Sequence, residues 1–179
     1  MKTIYLDFDN TIVDTNKCFT DFLNNQSEDE YLPKMFNNNE DIILDDKYYD
    51  FLTFKQGFEQ FFNKNNEKYT FIVLINGVKE AVNKKEQWIE SHLSDTVKCL
   101  NIGNDEFDRG SIDMKDSIYI CHDIDCLKNN ALINILYNDF DSYDGQYSNI
   151  NCMVVNTWNE INEILDFYKE YDFKTLDKE

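Results

Sequence analysis

Residues 3–15 read TIYLDFDNTIVDT, and this stretch decides the fold. Thr3 to Phe8 form a short apolar run that favours a buried strand and ends on acidic residues. Alternation along a strand points Asp7 and Asp9 to the same side, at the edge where the chain leaves the sheet. Two carboxylates that close repel each other unless a cation lies between them, and hard oxygen ligands suit Mg²⁺. The stretch predicts a cation site; the alternative is a pair of solvated loop acids or a helix cap.

Apolar runs and amphipathic segments alternate along the rest of the chain. The predicted strands are 69–75, 97–102, 117–121 and 151–155, and the predicted helices are 17–25, 54–63, 79–93, 127–137 and 158–171. The uninterrupted run YTFIVLI at 69–75 is typical of a strand buried on both faces of a parallel sheet. This alternation predicts an α/β sandwich with right-handed connections around a parallel sheet. Ligands of such folds bind at the carboxyl ends of the strands, where Asp7 and Asp9 lie.

The composition narrows the class of protein. The 179 residues include 17 Lys plus Arg and 35 Asp plus Glu, a formal net charge of -18 at pH 7. Hydrophobic residues make up 42%, enough for a packed core. The charge disfavours binding to polymeric nucleic acid, and no apolar run approaches the roughly 20 residues that span a membrane. The five cysteines form no C-x-x-C pair, and the N-terminus resembles no signal peptide, so we expect reduced thiols and a cytoplasmic protein.

Several motifs together resemble one enzyme superfamily. YLDFDNTIVDT resembles D-x-D-x-T, the first motif of the haloacid dehalogenase (HAD) superfamily of phosphohydrolases. Three later segments resemble the 5'(3')-deoxyribonucleotidase family within it. KEAVNKKEQWIESHL is similar to that family's E-K-x-x-W-[LI] helix, FKQGFEQFF to the helix before the second strand, and VVNTWNEINEIL to the closing strand and helix. The chain therefore looks like a small, divergent member.

The resemblance implies a Rossmann-like three-layer α/β sandwich around a parallel sheet, with a small helical cap inserted after the first strand. The core would comprise 1–13 and 53–179, and the cap 14–52. In the resembled family the cap closes over the active site and stacks the base of the substrate. The aromatic side chains of this segment would either stack on a base in the same way or form the cap's own core.

The resemblance also implies the catalytic roles of the first motif. Asp7 would attack phosphorus and form an aspartyl-phosphate, and Asp9 would act as general acid and base. Mg²⁺ would neutralise the phosphate oxygens and be held by Asp7, Asp9 and a further acid from the fourth strand. Thr11 would stiffen the turn beside the phosphate.

That further acid falls in IYICHDIDCLKN, residues 118–129. Asp123 matches the family's essential acid by position, and Asp125 is a candidate second acid. The alternative is that both are solvated residues at the start of the next helix. His122 directly precedes Asp123, and a single histidine beside acids is more often a neighbour of a metal site than a ligand in it. Because the chain has only two histidines, a zinc site is disfavoured.

The two motifs that would bind phosphate depart from the family pattern. The second motif should supply a Ser or Thr after the second strand, where this chain has Ile75 and Asn76. Asn76 can donate an amide hydrogen bond, whereas Ile75 cannot. The third motif should supply a Lys, for which Arg109 and Lys115 are the candidates unless neither serves.

These observations predict a Mg²⁺-dependent phosphatase of small phosphomonoesters, with (deoxy)nucleoside monophosphates as the favoured substrates. One alternative is a catalytically impaired HAD-fold binding protein that acts through its acidic surface on a protein partner. Another is phosphotransfer to an acceptor other than water. The expected ligand is a small phosphorylated metabolite or nucleotide. The sequence is also compatible with a homodimer.

Overall fold

The computed structural model describes residues 2–25, 42–103, 112–127, 129–138 and 151–170. The strands are β1 (Lys2–Asp7), β2 (Tyr69–Ile75), β3 (Lys98–Asn101), β4 (Ile118–Cys121), β5 (Ile133–Tyr137) and β6 (Met153–Val155). The helices are α1 (Thr15–Asn25), α2 (Asp46–Tyr49), α3 (Phe58–Asn65), α4 (Lys79–His92) and α5 (Trp158–Glu170), with a 3₁₀ turn at Ile124–Leu127. None of these helices is long and apolar enough to cross a membrane.

The strands form one parallel sheet in the order β3-β2-β1-β4-β5-β6. β1 lies in the middle, where Ile4 is level with Phe71 of β2 and with Ile118 of β4. Because all strands run the same way, their carboxyl ends meet at one edge. The predicted α/β sandwich around a parallel sheet is confirmed, and Asp7 lies at the centre of that edge.

Alternating side chains of β1 enter two apolar cores. Ile4 and Leu6 pack into the larger core, which α3, α4 and α5 cover. Tyr5 packs against the smaller core on the opposite face, with Tyr119 of β4 inside it. This alternation is what a central strand buried on both faces requires.

One element of the sequence prediction is wrong. A helix was predicted over 127–137, but the structure has a 3₁₀ turn ending at Leu127 and then the strand β5. The apolar run at 131–137 is too short for its periodicity to distinguish helix from strand. In the fold, β5 pairs with β4 on one side and β6 on the other, and these ladders satisfy its backbone.

The segment predicted as a cap is described at both ends. Phe22 of α1 and Tyr48 of α2 are buried, with ring centroids 5.8 Å apart in an edge-to-face arrangement. The ring centroid of Phe51 lies 6.0 Å from that of Phe22, also in an edge-to-face arrangement. Phe22 and Tyr48 belong to the larger core, and Phe51 packs against it. Residues 26–41, including Tyr31 and Phe36, lie outside the described ranges.

Candidate active site

Asp7 is the last residue of β1 and is almost fully buried, at 3% exposed. A carboxylate taken out of water needs hydrogen-bond donors to offset its lost hydration. The Tyr119 hydroxyl of β4 supplies one, donating to Asp7 Oδ1 at 2.9 Å. The neighbouring strand therefore holds the carboxylate that the first motif places at the sheet edge.

Asp9 follows two residues later and is engaged at both carboxylate oxygens. The Thr15 hydroxyl, at the start of α1, donates to Oδ1 at 3.1 Å. The Lys85 ammonium donates to Oδ2 at 2.6 Å. The left-handed residue Asn10, with φ 50°, turns the chain between the strand and this contact. Asp9 thus connects the first motif to α1 on one side and to α4 on the other.

Lys85 is a buried cation that sequence reasoning missed. Its side chain is 9% exposed, its ammonium also donates to the Asn76 carbonyl at 3.1 Å, and it lies 5.4 Å from the centre of the Phe8 ring. A signal was present: Lys85 lies three residues after Val82 and three before Trp88, on the buried face of α4. A lysine on the apolar face of an amphipathic helix indicates a buried acidic partner.

Tyr119 is the second residue that was missed, and here no sequence signal existed. It is one apolar position in the strand IYIC, where a tyrosine is ordinary. Its contact with Asp7 arises from the pairing of β4 with β1. This pairing sets Tyr119 level with Tyr5, which is two residues before Asp7 in β1. Only the register shows this relationship.

The two candidates for the second-motif position, Ile75 and Asn76, differ in their exposure. Ile75 is the last residue of β2 and is fully buried in the larger core. Asn76 comes directly after the strand and is exposed at the edge that carries Asp7. Its side chain lies against Gly103, where a Cβ would collide with the Asn76 amide oxygen. Asn76 is therefore the candidate that is exposed at this edge, and Gly103 leaves room for its amide.

The loop after β4 lies beside the first motif. Thr11 is fully buried, and its hydroxyl is 3.4 Å from Nδ1 of His122, so it joins the two loops. Asp123 is partly exposed, and its Oδ1 accepts from the backbone N–H of Asp125 at 3.0 Å. Asp125 itself is exposed. Asp123 is therefore the acid of this loop nearer to the strand end.

Of the two predicted third-motif cations, Lys115 and Arg109, the structure describes Lys115. Lys115 is exposed and precedes β4, so it lies at the amino edge of the sheet, opposite to Asp7. Arg109 lies outside the described residues. Among the described residues, Lys85 is paired with Asp9, and Lys55 lies 3.6 Å from Asp14 at the end of the stretch 3–15.

The carboxylates at this edge of the sheet are oxygen ligands of the kind that Mg²⁺ prefers. No three His, Cys, Asp or Glu side chains within the described ranges form a metal-binding group. The side chain of Asp9 is paired with Lys85. Mg²⁺ needs only one or two carboxylates, with water and phosphate completing its octahedron. Asp7 and Asp123, at the ends of adjacent strands, fit that requirement.

The helix α2 lies close enough to the site for the Asp9 charge to act on its residue Tyr49. Burial and, after it, the Asp9 charge raise the pKa of Tyr49. The Tyr49 hydroxyl donates to the Ile43 carbonyl at 3.0 Å and approaches the Ala81 carbonyl of α4 at 3.4 Å. The segment inserted after β1 is thereby attached to the helix that carries Lys85.

No protein-family model matches this chain, and no curated protein sequence does. Its structure is similar to that of a HAD phosphatase from Thermococcus onnurineus, with 13% identity and a TM-score of 0.63 over 92% of this chain and 98% of that one. It is also similar to the putative HAD-hydrolase YfnB from Bacillus subtilis bound to magnesium, with 13% identity and a TM-score of 0.58 over the same shares. A HAD-superfamily hydrolase of subfamily IA from Geobacter sulfurreducens aligns with 8% identity and a TM-score of 0.58, over 92% of this chain and 96% of that one. At these identities the likeness concerns the fold: the chain has the α/β fold of HAD-superfamily hydrolases.

Proposed function

We propose that this protein is a Mg²⁺-dependent phosphatase of small phosphomonoesters, with (deoxy)nucleoside monophosphates as the favoured substrates. The observation that carries the proposal is the pair Asp7 and Asp9 at the carboxyl end of the central strand, with the buried Lys85 ammonium beside them. The fold shared with HAD hydrolases and phosphatases supports the same reaction class. Magnesium, when bound, would neutralise the phosphate oxygens next to Asp7 and Asp123.

Asp7 supplies the nucleophile. One of its carboxylate oxygens attacks phosphorus in line, a P–O bond to Asp7 forms, and the P–O bond to the leaving alkoxide breaks. Water then attacks the phosphorus of the aspartyl-phosphate and releases inorganic phosphate and the free carboxylate. The position at a rigid strand end suits this role, because it fixes the attacking oxygen without a flexible loop.

Asp9 handles the protons. It protonates the leaving alkoxide in the first step, with a proton gained from water in the preceding turnover, and it accepts a proton from water again in the second step. Both of its oxygens are engaged before substrate binds, by Thr15 and Lys85. A dianionic phosphate entering beside Lys85 competes with Asp9 for the ammonium, which leaves an Asp9 oxygen available to the substrate. Lys85 thereby takes the place of the third-motif cation.

Asn76 and the backbone of Gly77 complete the phosphate site. The Asn76 amide donates to a phosphate oxygen where the resembled family uses a hydroxyl. The backbone N–H of Gly77, whose φ is 145°, is a candidate second donor. The end of the predicted cap that includes α2 lies beside this site, because Tyr49 of α2 contacts α4 and lies within the influence of the Asp9 charge, and it covers the organic part of the substrate.

The test is phosphate release from a panel of 5'- and 3'-(deoxy)nucleotides and sugar phosphates with Mg²⁺. Wild type is compared with Asp7→Asn, and both are repeated in EDTA. We expect release that requires Mg²⁺ and Asp7 together. A folded wild type that releases no more phosphate than Asp7→Asn would overturn the proposal and favour the binding-protein alternative.

A second experiment tests Asp123 as the metal ligand, with a substitution at Asp125 as its control. Asp123→Asn should weaken Mg²⁺ binding at least tenfold, measured by calorimetry, whereas Asp125→Asn should change it less than twofold, because Asp125 is exposed and further from the strand end. Equal effects of the two variants would contradict the assignment of Asp123.

A further inference from the structure

We propose that Tyr119 is a positioning residue for the phosphatase reaction, holding the Asp7 carboxylate in the orientation needed for in-line attack. This inference rests on the proposed function. It concerns a contact that no sequence motif contains: the phenol of β4 donating to Asp7 Oδ1 at 2.9 Å.

The register of the sheet creates the contact. β4 pairs with β1 so that Tyr119 is level with Tyr5 and Ile120 with Leu6. Asp7 lies two residues beyond Tyr5, so alternation places it on the same face as Tyr5 and Tyr119. The Tyr119 ring therefore lies in the smaller core directly before the sheet edge, and its hydroxyl reaches the edge where Asp7 ends β1.

Both partners of the contact, the Tyr119 hydroxyl and the Asp7 carboxylate, are buried. Tyr119 is 0% exposed and packs in an apolar cluster with Leu74, Cys121 and Leu136, while Asp7 is 3% exposed. A phenylalanine would fill the same apolar space without burying a hydroxyl, and an unpaired buried hydroxyl is costly. The hydroxyl is thus explained by Asp7 and not by packing.

The consequence for catalysis is geometric. A hydrogen bond to a charged acceptor is short and directional, so it restrains rotation of the carboxylate about its Cβ–Cγ bond. In-line attack depends on a near-attack geometry, and small misplacements lower the rate strongly. Tyr119 does not touch the substrate; it acts through Asp7, and its loss should lower kcat more than it raises KM.

The experiment compares Tyr119→Phe with Tyr5→Phe, an identical substitution at the register partner. Hydrolysis of p-nitrophenyl phosphate and of the best nucleotide is measured with saturating Mg²⁺. For Tyr119→Phe we expect kcat to fall roughly 10- to 100-fold with KM changed less than threefold. For Tyr5→Phe we expect both constants within twofold of wild type. Tyr119→Phe with wild-type kcat would overturn the inference.

A binding readout accompanies the kinetics. Mg²⁺ with beryllium fluoride mimics the phosphorylated carboxylate and should raise the melting temperature of wild type and Tyr5→Phe, but raise that of Tyr119→Phe less. If Tyr119→Phe does not fold, 4-fluorophenylalanine at position 119 fills the hydroxyl volume without donating a hydrogen bond. The same loss of kcat is expected for it, and full activity would overturn the inference.

The outcomes for the two proposals are distinct. Wild type that equals Asp7→Asn rejects the phosphatase function, and the positioning role with it. Wild type that is active, together with a Tyr119→Phe variant that matches it, rejects the positioning role alone.

Discussion

The Lys85 ammonium lies 2.6 Å from Asp9 Oδ2 and 3.1 Å from the Asn76 carbonyl oxygen, so one buried cation joins the first-motif acid to the residue after β2. These contacts come from three elements that are distant in sequence: the loop after β1, the end of β2 and the middle of α4. The hydrogen bonds of Lys85 to Asp9 and to the Asn76 carbonyl offset the cost of burying its charge, and they fix the positions of these two groups relative to each other.

Lys85→Met should lower kcat/KM for phosphomonoesters at least 100-fold, because it removes the cation beside the transferring phosphate and leaves Asp9 without its charged partner. Its neighbour Lys84 provides the control: Lys84 pairs with Asp46 on the surface of α2. Lys84→Met should change kcat/KM less than threefold. Steady-state kinetics of the two variants measure this, and similar losses in both would argue against a specific role for Lys85.

Gly103→Ala should displace the Asn76 side chain, because the added Cβ would collide with its amide oxygen. We expect KM for the phosphate substrate to rise roughly fivefold or more, with a similar rise for Asn76→Ala, which loses the amide donor. Asn76→Ser should retain most of the affinity, since a hydroxyl can also donate. An unchanged KM in both Gly103→Ala and Asn76→Ala would show that this loop does not bind phosphate.

Stability should fall at alkaline pH through the thiol of Cys18. Burial raises the pKa of Cys18 from 9.0 to about 11. The unfolded chain therefore loses this proton first, so the stabilisation is complete below pH 9 and is lost as pH rises toward 11. Urea unfolding of reduced protein between pH 8 and pH 11 should show that the free energy of unfolding falls less steeply with pH in Cys18→Ala than in wild type, with the largest difference, about 1 kcal/mol per pH unit, near pH 10. Parallel slopes for the two proteins would contradict this.

Trp158→Ala should lower the free energy of unfolding by about 3–5 kcal/mol. The indole is 1% exposed, with ring centroids 4.9 Å from Phe58, 4.8 Å from Phe61 and 5.3 Å from Tyr137. Phe167→Ala on the same helix is the control, because that ring is 57% exposed, and it should cost less than about 1 kcal/mol. Chemical denaturation compares them; equal losses would mean that α5 is not anchored by Trp158.

The sheet and its central acids could be predicted from the sequence because strand and acid are adjacent in it. An apolar run followed at once by Asp7 and Asp9 places both at the carboxyl end of β1, whatever the rest of the chain does. Asn76 was accessible to the same reasoning, since it follows β2 directly. By contrast, β5 was missed because a short apolar run satisfies helix and strand patterns alike.

The partners of those acids could not be predicted in the same way. Tyr119 meets Asp7 only because of the pairing of β4 with β1, and the spacing of residues along one chain does not specify that register. Lys115 shows the converse: it is close to Asp123 in sequence but precedes the strand that Asp123 follows, so the length of β4 separates them. Lys85 was predictable in principle from its place on the buried face of α4.

The strand order has a consequence for synthesis on the ribosome. β1 emerges first, but it is hydrogen-bonded between β2 and β4, whose residues Leu74 and Ile120 are translated much later. Pairings of such long sequence separation are slow to form and must wait for both segments. Until β4 has left the exit tunnel, Asp7 has neither Tyr119 nor the Asp123 loop beside it. A nascent or truncated chain that ends before β4 should therefore carry the D-x-D motif without any catalytic competence.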